Sequence, residues 1–223
     1  MYGSVLNMKD PREWHAGLKV ENTLKALRGN GFDAHYASTK EEAASLILEM
    51  VPRDALVGLG GSITLREMDI PRLLAERGNE VADHWAARQE GASPMEVLEI
   101  RRRHINSDVF ITSTNALTER GELVNIDGGG QRVAAMIFGP RKVIVVAGVN
   151  KITGDLEEGL WRARNVASPM NAKRLNLRTP CATTGVCSDC SSEDRICNAT
   201  TIIQRRPRNV DATVIIVGEN LGY

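Results

Sequence analysis

The sequence predicts an α/β fold, a three-layer sandwich in which helices cover both faces of a mainly parallel sheet. Two observations carry this. Short, unbroken apolar runs such as 142–148 (KVIVVAG) and 212–218 (ATVIIVG) alternate with segments of helical periodicity. Such runs suit strands that bury both faces, which is the condition of parallel strands roofed by helices. A third observation is size: 223 residues suffice for one sizeable core. Residues 1–223 are accordingly expected to form one domain, with a cysteine-rich segment, 180–198, inside it.

The elements follow in order. Leu18, Leu24 and Leu27 recur at helical spacing among Lys19, Glu21, Lys25 and Arg28, and Gly29–Gly31 stops that helix. Residues 32–37 form a short strand. Ser38 or Thr39 then caps a helix with Glu41 and Glu42 in its first turn, closed by Val51-Pro52. Residues 54–64 (DALVGLGGSIT) read as a strand, a Gly-Gly-Ser turn and the start of a helix expected to run from Leu65 to Arg77. Glu80–Ala82 is a short strand. Ser93-Pro94 opens a helix that ends in Arg101–His104, whose arginines suit a solvated helix end. Residues 108–113 are a buried-type strand. Gly121 marks a turn before 122–125, and the glycine triplet Gly128–Gly130 follows. After strand 142–148, residues 152–177 are mostly helical with an interruption near Pro169, and 212–218 is the last strand.

Composition narrows function. Lys and Arg number 28 against 28 Asp and Glu, for a net charge of +0. Broad nucleic-acid binding draws on excess basic residues, and single-strand binding on aromatic platforms; at 4% aromatic the chain is suited to neither. No apolar run approaches the ~18 residues of a membrane span, and Met1–Trp14 has no signal-like apolar stretch. These features predict a cytoplasmic protein with no membrane or nucleic-acid partner and with reduced thiols.

The cysteines are the most distinctive feature. None occurs before residue 181; then Cys181, Cys187, Cys190 and Cys197 follow within 17 residues. Four thiolates from one compact run suit a [4Fe–4S] cluster, and also a closed, tetrahedral structural zinc. The single C-x2-C pair, where zinc sites generally show two, favours iron–sulfur.

Two glycine-rich stretches form a candidate anion site. Gly60, Gly61, Ser62 and Thr64 lie where a strand ends and a helix begins, so backbone N–H groups and hydroxyls can face an anion. No Lys follows to make a Walker loop, and Ile63 breaks G-x-G-x-x-G. The second stretch offers Asn115, Glu119, Asn125, Asp127, Gly128, Gly129 and Arg132. Glu119 suits a catalytic base or nucleophile, and Asp127 an orienting carboxylate, although acidic residues beside glycines commonly cap turns. Asn150 and Lys151 end a strand, where α/β sheets face their ligands. The four histidines are scattered and none is assigned to chemistry.

With residues 60–64 (GGSIT), 113–127 (STNALTERGELVNID), 132–140 (RVAAMIFGP), 149–152 (VNKI), 167–171 (ASPMN), 180–198 and 218–223 (GENLGY) in view, the chain resembles the LUD-domain, or lactate-utilisation, family over nearly its whole length. The resemblance implies a fold similar to ribose-5-phosphate isomerases, glucosamine-6-phosphate deaminases and CoA transferases. In those relatives a strand-end loop like Gly60–Thr64 holds phosphate or CoA. Glu119-Arg120-Gly121 is loosely similar to the catalytic Glu-x-Gly turn of CoA transferases. The resemblance further implies an accessory or electron-transfer role in L-lactate oxidation beside iron–sulfur partner subunits. The alternatives are a stand-alone enzyme or binding protein for a phosphorylated or CoA-linked metabolite, or a zinc-stabilised regulatory module. A small anionic metabolite is the expected ligand, and a homo-oligomer is compatible with the sequence.

Overall fold

The computed structural model describes residues 10–223. The N-terminal reading extends over Met1–Lys9, which lie outside the described residues.

The main sheet has six strands, β1 (Asp33–Ala37), β2 (Leu56–Leu59), β3 (Glu80–Ala82), β4 (Val109–Ser113), β7 (Lys142–Gly148) and β10 (Asp211–Val217). Their order is β1-β10-β7-β4-β2-β3, and every pairing is parallel. The unbroken apolar runs have the expected cause. In β7, Ile144 and Val146 join one core with Ala43 and Ile47 of α2 (Lys40–Met50), Leu65 of α3 (Ile63–Glu67) and Leu74 of α4 (Ile70–Glu76). Val143, Val145 and Ala147 join a second core with Leu24 and Leu27 of α1 (Pro11–Gly29) and Ala135 and Met136 of α7 (Gln131–Ile137). Each fully buried Leu or Ile contributes about 1.5–3 kcal/mol relative to exposure, so both faces hold the sheet in place.

A second sheet was not foreseen. It comprises β5 (Ala116–Thr118), β6 (Leu123–Asp127), β8 (Ile152–Thr153) and β9 (Ala199–Ile203), ordered β8-β5-β6-β9, with β6 antiparallel to β5 and β9. Leu117 and Leu123 face the main sheet's second core. Ala116, Val124 and Ile126 face away, toward Leu156 and Leu160 of α8 (Leu156–Arg162) and Ala163. The helices on this side are thus partly separated from the main sheet by an extra β layer. β5 and β8, of three and two residues, carry little periodicity, whereas β6 and β9, of five residues each, went unread despite their length.

Local signals explain the other boundaries. Thr39 caps α2, accepting from the Glu42 N–H. Ser93 and Glu96 form a reciprocal capping box on α6 (Pro94–Arg103). The helix expected from Leu65 to Arg77 is two helices, because Asp69 adopts a left-handed conformation (φ 58°) between them. The stretch 152–177 opens with β8 and then runs without a break through α8, a π turn (Ala163–Ala167) and α9 (Ser168–Arg174), Pro169 following directly on the π turn. Three helices were missed, α5 (His84–Gln89), α7 and α10 (Pro180–Thr184), each under eight residues. Among the described residues no helix is long and apolar enough to cross a membrane.

Candidate anion-binding site

Because all six strands of the main sheet are parallel, their carboxyl ends open on one edge, the position at which α/β sheets bind ligands. Four chain segments meet there: Gly61–Thr64 after β2, Ser113–Asn115 after β4, Lys151 after β7 and the C-terminal Tyr223 after β10. With α5, α6, α9 and the β6–α7 loop they enclose a cleft of about 420 Å³.

Lys151 lies at its floor, 2% exposed. Its Nζ donates to Thr64 Oγ1 at 2.9 Å and to Ser113 Oγ at 2.8 Å. The Thr64 hydroxyl in turn reaches the Leu221 carbonyl at 3.3 Å, and that of Ser113 the Thr114 carbonyl at 3.3 Å. No carboxylate forms an ion pair with Lys151 among the described residues. Burial, and then the positive charges of Arg162 and Arg132, bring its pKa down to about 7, with Glu67 opposing.

The charged part of the remaining lining is mainly cationic. Arg88, Arg101, Arg132, Arg174 and Arg195 all line the cleft, against one acidic side chain, Asp127, among the described residues. That carboxylate is already engaged: it accepts from the Gly129 and Gly130 N–H groups at 3.0 and 2.7 Å and pairs with Arg132 Nε at 3.3 Å. Arg132 is fully committed as well, donating to the Ser113 and Ile126 carbonyls and to the side chains of Asn115 and Asn125. It is a structural clamp between the two sheets. Arg101 differs. Its Nε is buried without a partner, and burial followed by the nearby Arg88 charge lowers its pKa. A buried guanidinium nitrogen with no acceptor, near a second arginine, is electrostatically unfavourable.

The residues expected at the site are partly reunited. Gly61, Ser62, Thr64, Asn115, Asp127, Gly128, Gly129, Arg132 and Lys151 line the cleft. Ser62 is occupied in capping α3, accepting from Leu65 N–H at 3.4 Å. Gly60 and Gly61 permit close packing: a side chain at Gly60 would strike Thr112, and one at Gly61 the Trp85 indole. Asn150 does not line the cleft. It holds the C-terminal segment over it, accepting from Leu221 N–H and donating to the Gly222 carbonyl. Asn125 supports Arg132 from beneath. Glu119 is not brought to the cleft: it lies in the turn between β5 and β6, one-third exposed, 3.6 Å from Lys19.

Sequence reading missed Arg101, Ser113, His84, Trp85, Arg174 and Tyr223, all lining the cleft. The expectation that Arg101–Arg103 are a solvated helix end holds for Arg102 and Arg103, which are exposed and pair with Glu99 and Glu80. It fails for Arg101. Arg101 stands four residues after the buried Val97, so both occupy the inward face of α6. That spacing was the available signal.

The four cysteines are unpaired and half-buried, on the segment from α10 (Pro180–Thr184) to β9. Burial pushes the Cys197 thiol up, Arg195 pulls it down, and Cys187, Cys190 and Cys181 push it up again. Cys197 therefore lies within electrostatic reach of the other three thiols, and four thiol donors are by chemistry the set that a four-thiolate centre uses. Among the described residues no three His, Cys, Asp or Glu side chains are gathered in metal-holding geometry. A small hollow beside Cys187 and Cys197 shares Ile126, Ser168 and Arg195 with the cleft wall.

Fold and site together define an α/β protein with a cationic cleft at the carboxyl edge of a parallel sheet. The LUD domain model matches residues 20–217, and the chain belongs to that family. It is in that sense a lactate-utilisation-related protein. The 1.70 Å crystal structure of a DUF162 family protein from Deinococcus radiodurans is similar in fold, with a TM-score of 0.54 and 13% sequence identity, covering 91% of this chain and 98% of that one. No match to this chain is found among curated proteins.

Proposed function

We propose that this protein binds a small carboxylate- or phosphate-bearing metabolite in the cleft, between Lys151 and Arg101. The observation that carries this reading is the unpartnered, buried Nε of Arg101 in a cleft whose one carboxylate is already neutralised by Arg132. An anion there satisfies the orphaned donor and relieves the repulsion between Arg101 and Arg88. Titration calorimetry with L-lactate, inorganic phosphate, glycerol 3-phosphate and coenzyme A at low and high salt tests it. Binding that weakens with salt is expected; no heat from any of the four would overturn the reading.

The finer reading is a component of L-lactate oxidation that works with iron–sulfur partner subunits. Family membership supports it, and so does the wall that the thiol segment shares with the cleft through Arg195. Cys181, Cys187, Cys190 and Cys197 would hold the [4Fe–4S] cluster, which supplies one-electron transfer when bound. Anaerobically purified protein is then brown, with iron and sulfide in equal amounts. Colourless protein containing zinc would replace the cluster by a structural site, and metal-free protein would overturn both.

A further inference from the structure

We propose that Lys151 is a reactive amine that forms an imine with an anionic carbonyl compound held in the cleft. The inference rests on the anion-binding reading above and adds to it the identity of the reacting group.

The hydrogen-bond network around Lys151 accommodates a neutral amine. An uncharged Nζ has two N–H donors and one lone pair. Thr64 Oγ1 and Ser113 Oγ take the two donors. Both hydroxyls pass their own protons to main-chain carbonyls, of Leu221 and Thr114. Every N–H and O–H of the trio then has an acceptor, and the amine lone pair is left over, on a residue that lines the cleft. An ammonium in the same place would carry a third N–H, with no carboxylate paired to it among the described residues. Charge agrees with geometry. Arg162 and Arg132 disfavour a further cation, and Glu67, the opposing carboxylate, is engaged with the Gly222 N–H at 2.6 Å. Lysines made nucleophilic in this way, by desolvation and neighbouring cations, typically attack carbonyl carbon.

The chemistry closes without a co-reactant. The Nζ lone pair adds to the carbonyl carbon, and the carbonyl oxygen takes both amine hydrogens in succession and departs as water. A C=N bond replaces C=O, and nothing is oxidised or reduced. The ligand's anionic group would meet the guanidinium of Arg101, a residue that lines the same cleft and whose Nε has no hydrogen-bond partner.

Borohydride trapping followed by peptide mapping tests this on the whole protein. Glyoxylate serves as the carboxylated probe and glyceraldehyde 3-phosphate as the phosphorylated one, and the better-trapped of the two identifies the anionic group. At pH 7 the neutral fraction of Lys151 exceeds that of an ordinary lysine by roughly a thousandfold. Adduct on the Lys151 peptide is therefore expected at more than about tenfold that on exposed Lys25 or Lys173, and it is lost in Lys151→Arg protein whose circular dichroism is native. Parallel calorimetry with glycolate and glycerol 3-phosphate, which have the same charges and no carbonyl, separates the two claims. Anion binding with adduct absent, or spread evenly over surface lysines, overturns the imine and leaves the anion site standing. Neither binding nor adduct overturns both.

Discussion

Lys151 Nζ donates to Ser113 Oγ at 2.8 Å, joining the residue just beyond β7 to the last residue of its neighbour β4. The bond ties the carboxyl edge of the sheet together and fixes the amine on the floor of the cleft.

Removing its acceptor should be felt in stability. Ser113→Ala leaves a buried N–H unpartnered, as does Thr64→Val on the other side. Each is expected to cost about 1–3 kcal/mol, read as a lower midpoint in urea unfolding with unchanged slope.

The same lysine sets a pH dependence. Its pKa is about 7 in the folded protein and 10.5 when unperturbed. Between those values the unfolded chain binds a proton that the folded one does not, so stability rises with pH from about 7 toward 10.5. Lys151→Met removes this rise. Unfolding midpoints at intervals across that window, for wild type and variant, check it.

A second titration acts on the acid side. His84 and His104 are buried with ring centroids 5.4 Å apart, and burial foremost brings each pKa from 6.5 down to about 4. His104 Nε2 is held at the Ala82 carbonyl, 3.2 Å away. As pH falls through this range the unfolded histidines take up protons and the folded ones resist, so stability declines from pH 6.5 toward 4. His104→Gln should flatten part of that decline in an acid unfolding series.

Arg132 is the most heavily bonded side chain of the cleft, with partners in β4, β6 and the Asn115 turn. Arg132→Met removes the cationic partner of the buried Asp127 carboxylate and the donors to the Ser113 and Ile126 carbonyls, with an expected loss of about 3–5 kcal/mol, measurable by equilibrium denaturation.

How much was legible follows from the range of the interactions. The strands of the main sheet could be read because burial on both faces leaves an unbroken apolar run, as in Val143–Ala147. Lys151 could be read from its place at a strand end. Arg101 could not be read from its local charge run, since its burial depends on α6 packing against distant segments. Ser113 was visible only as part of a strand, because its partner lies 38 positions away. Glu119 was suggested by a local turn, and its distance from the cleft is set by the pairing of β5 with β6 and β8. Tyr223 and Trp85 reach the cleft only once the strand order is known.

The most direct measurement is the affinity of Arg101→Gln, by titration calorimetry, for whichever anion wild-type protein binds tightest. Arg101 is the one cleft cation shown with a buried, unpartnered donor. Losing its charge-assisted contact should weaken binding by about thirtyfold or more, since truncating one member of a buried charge pair costs about 2 kcal/mol or above. An affinity equal to wild type would contradict the assignment of this cleft as the anion site.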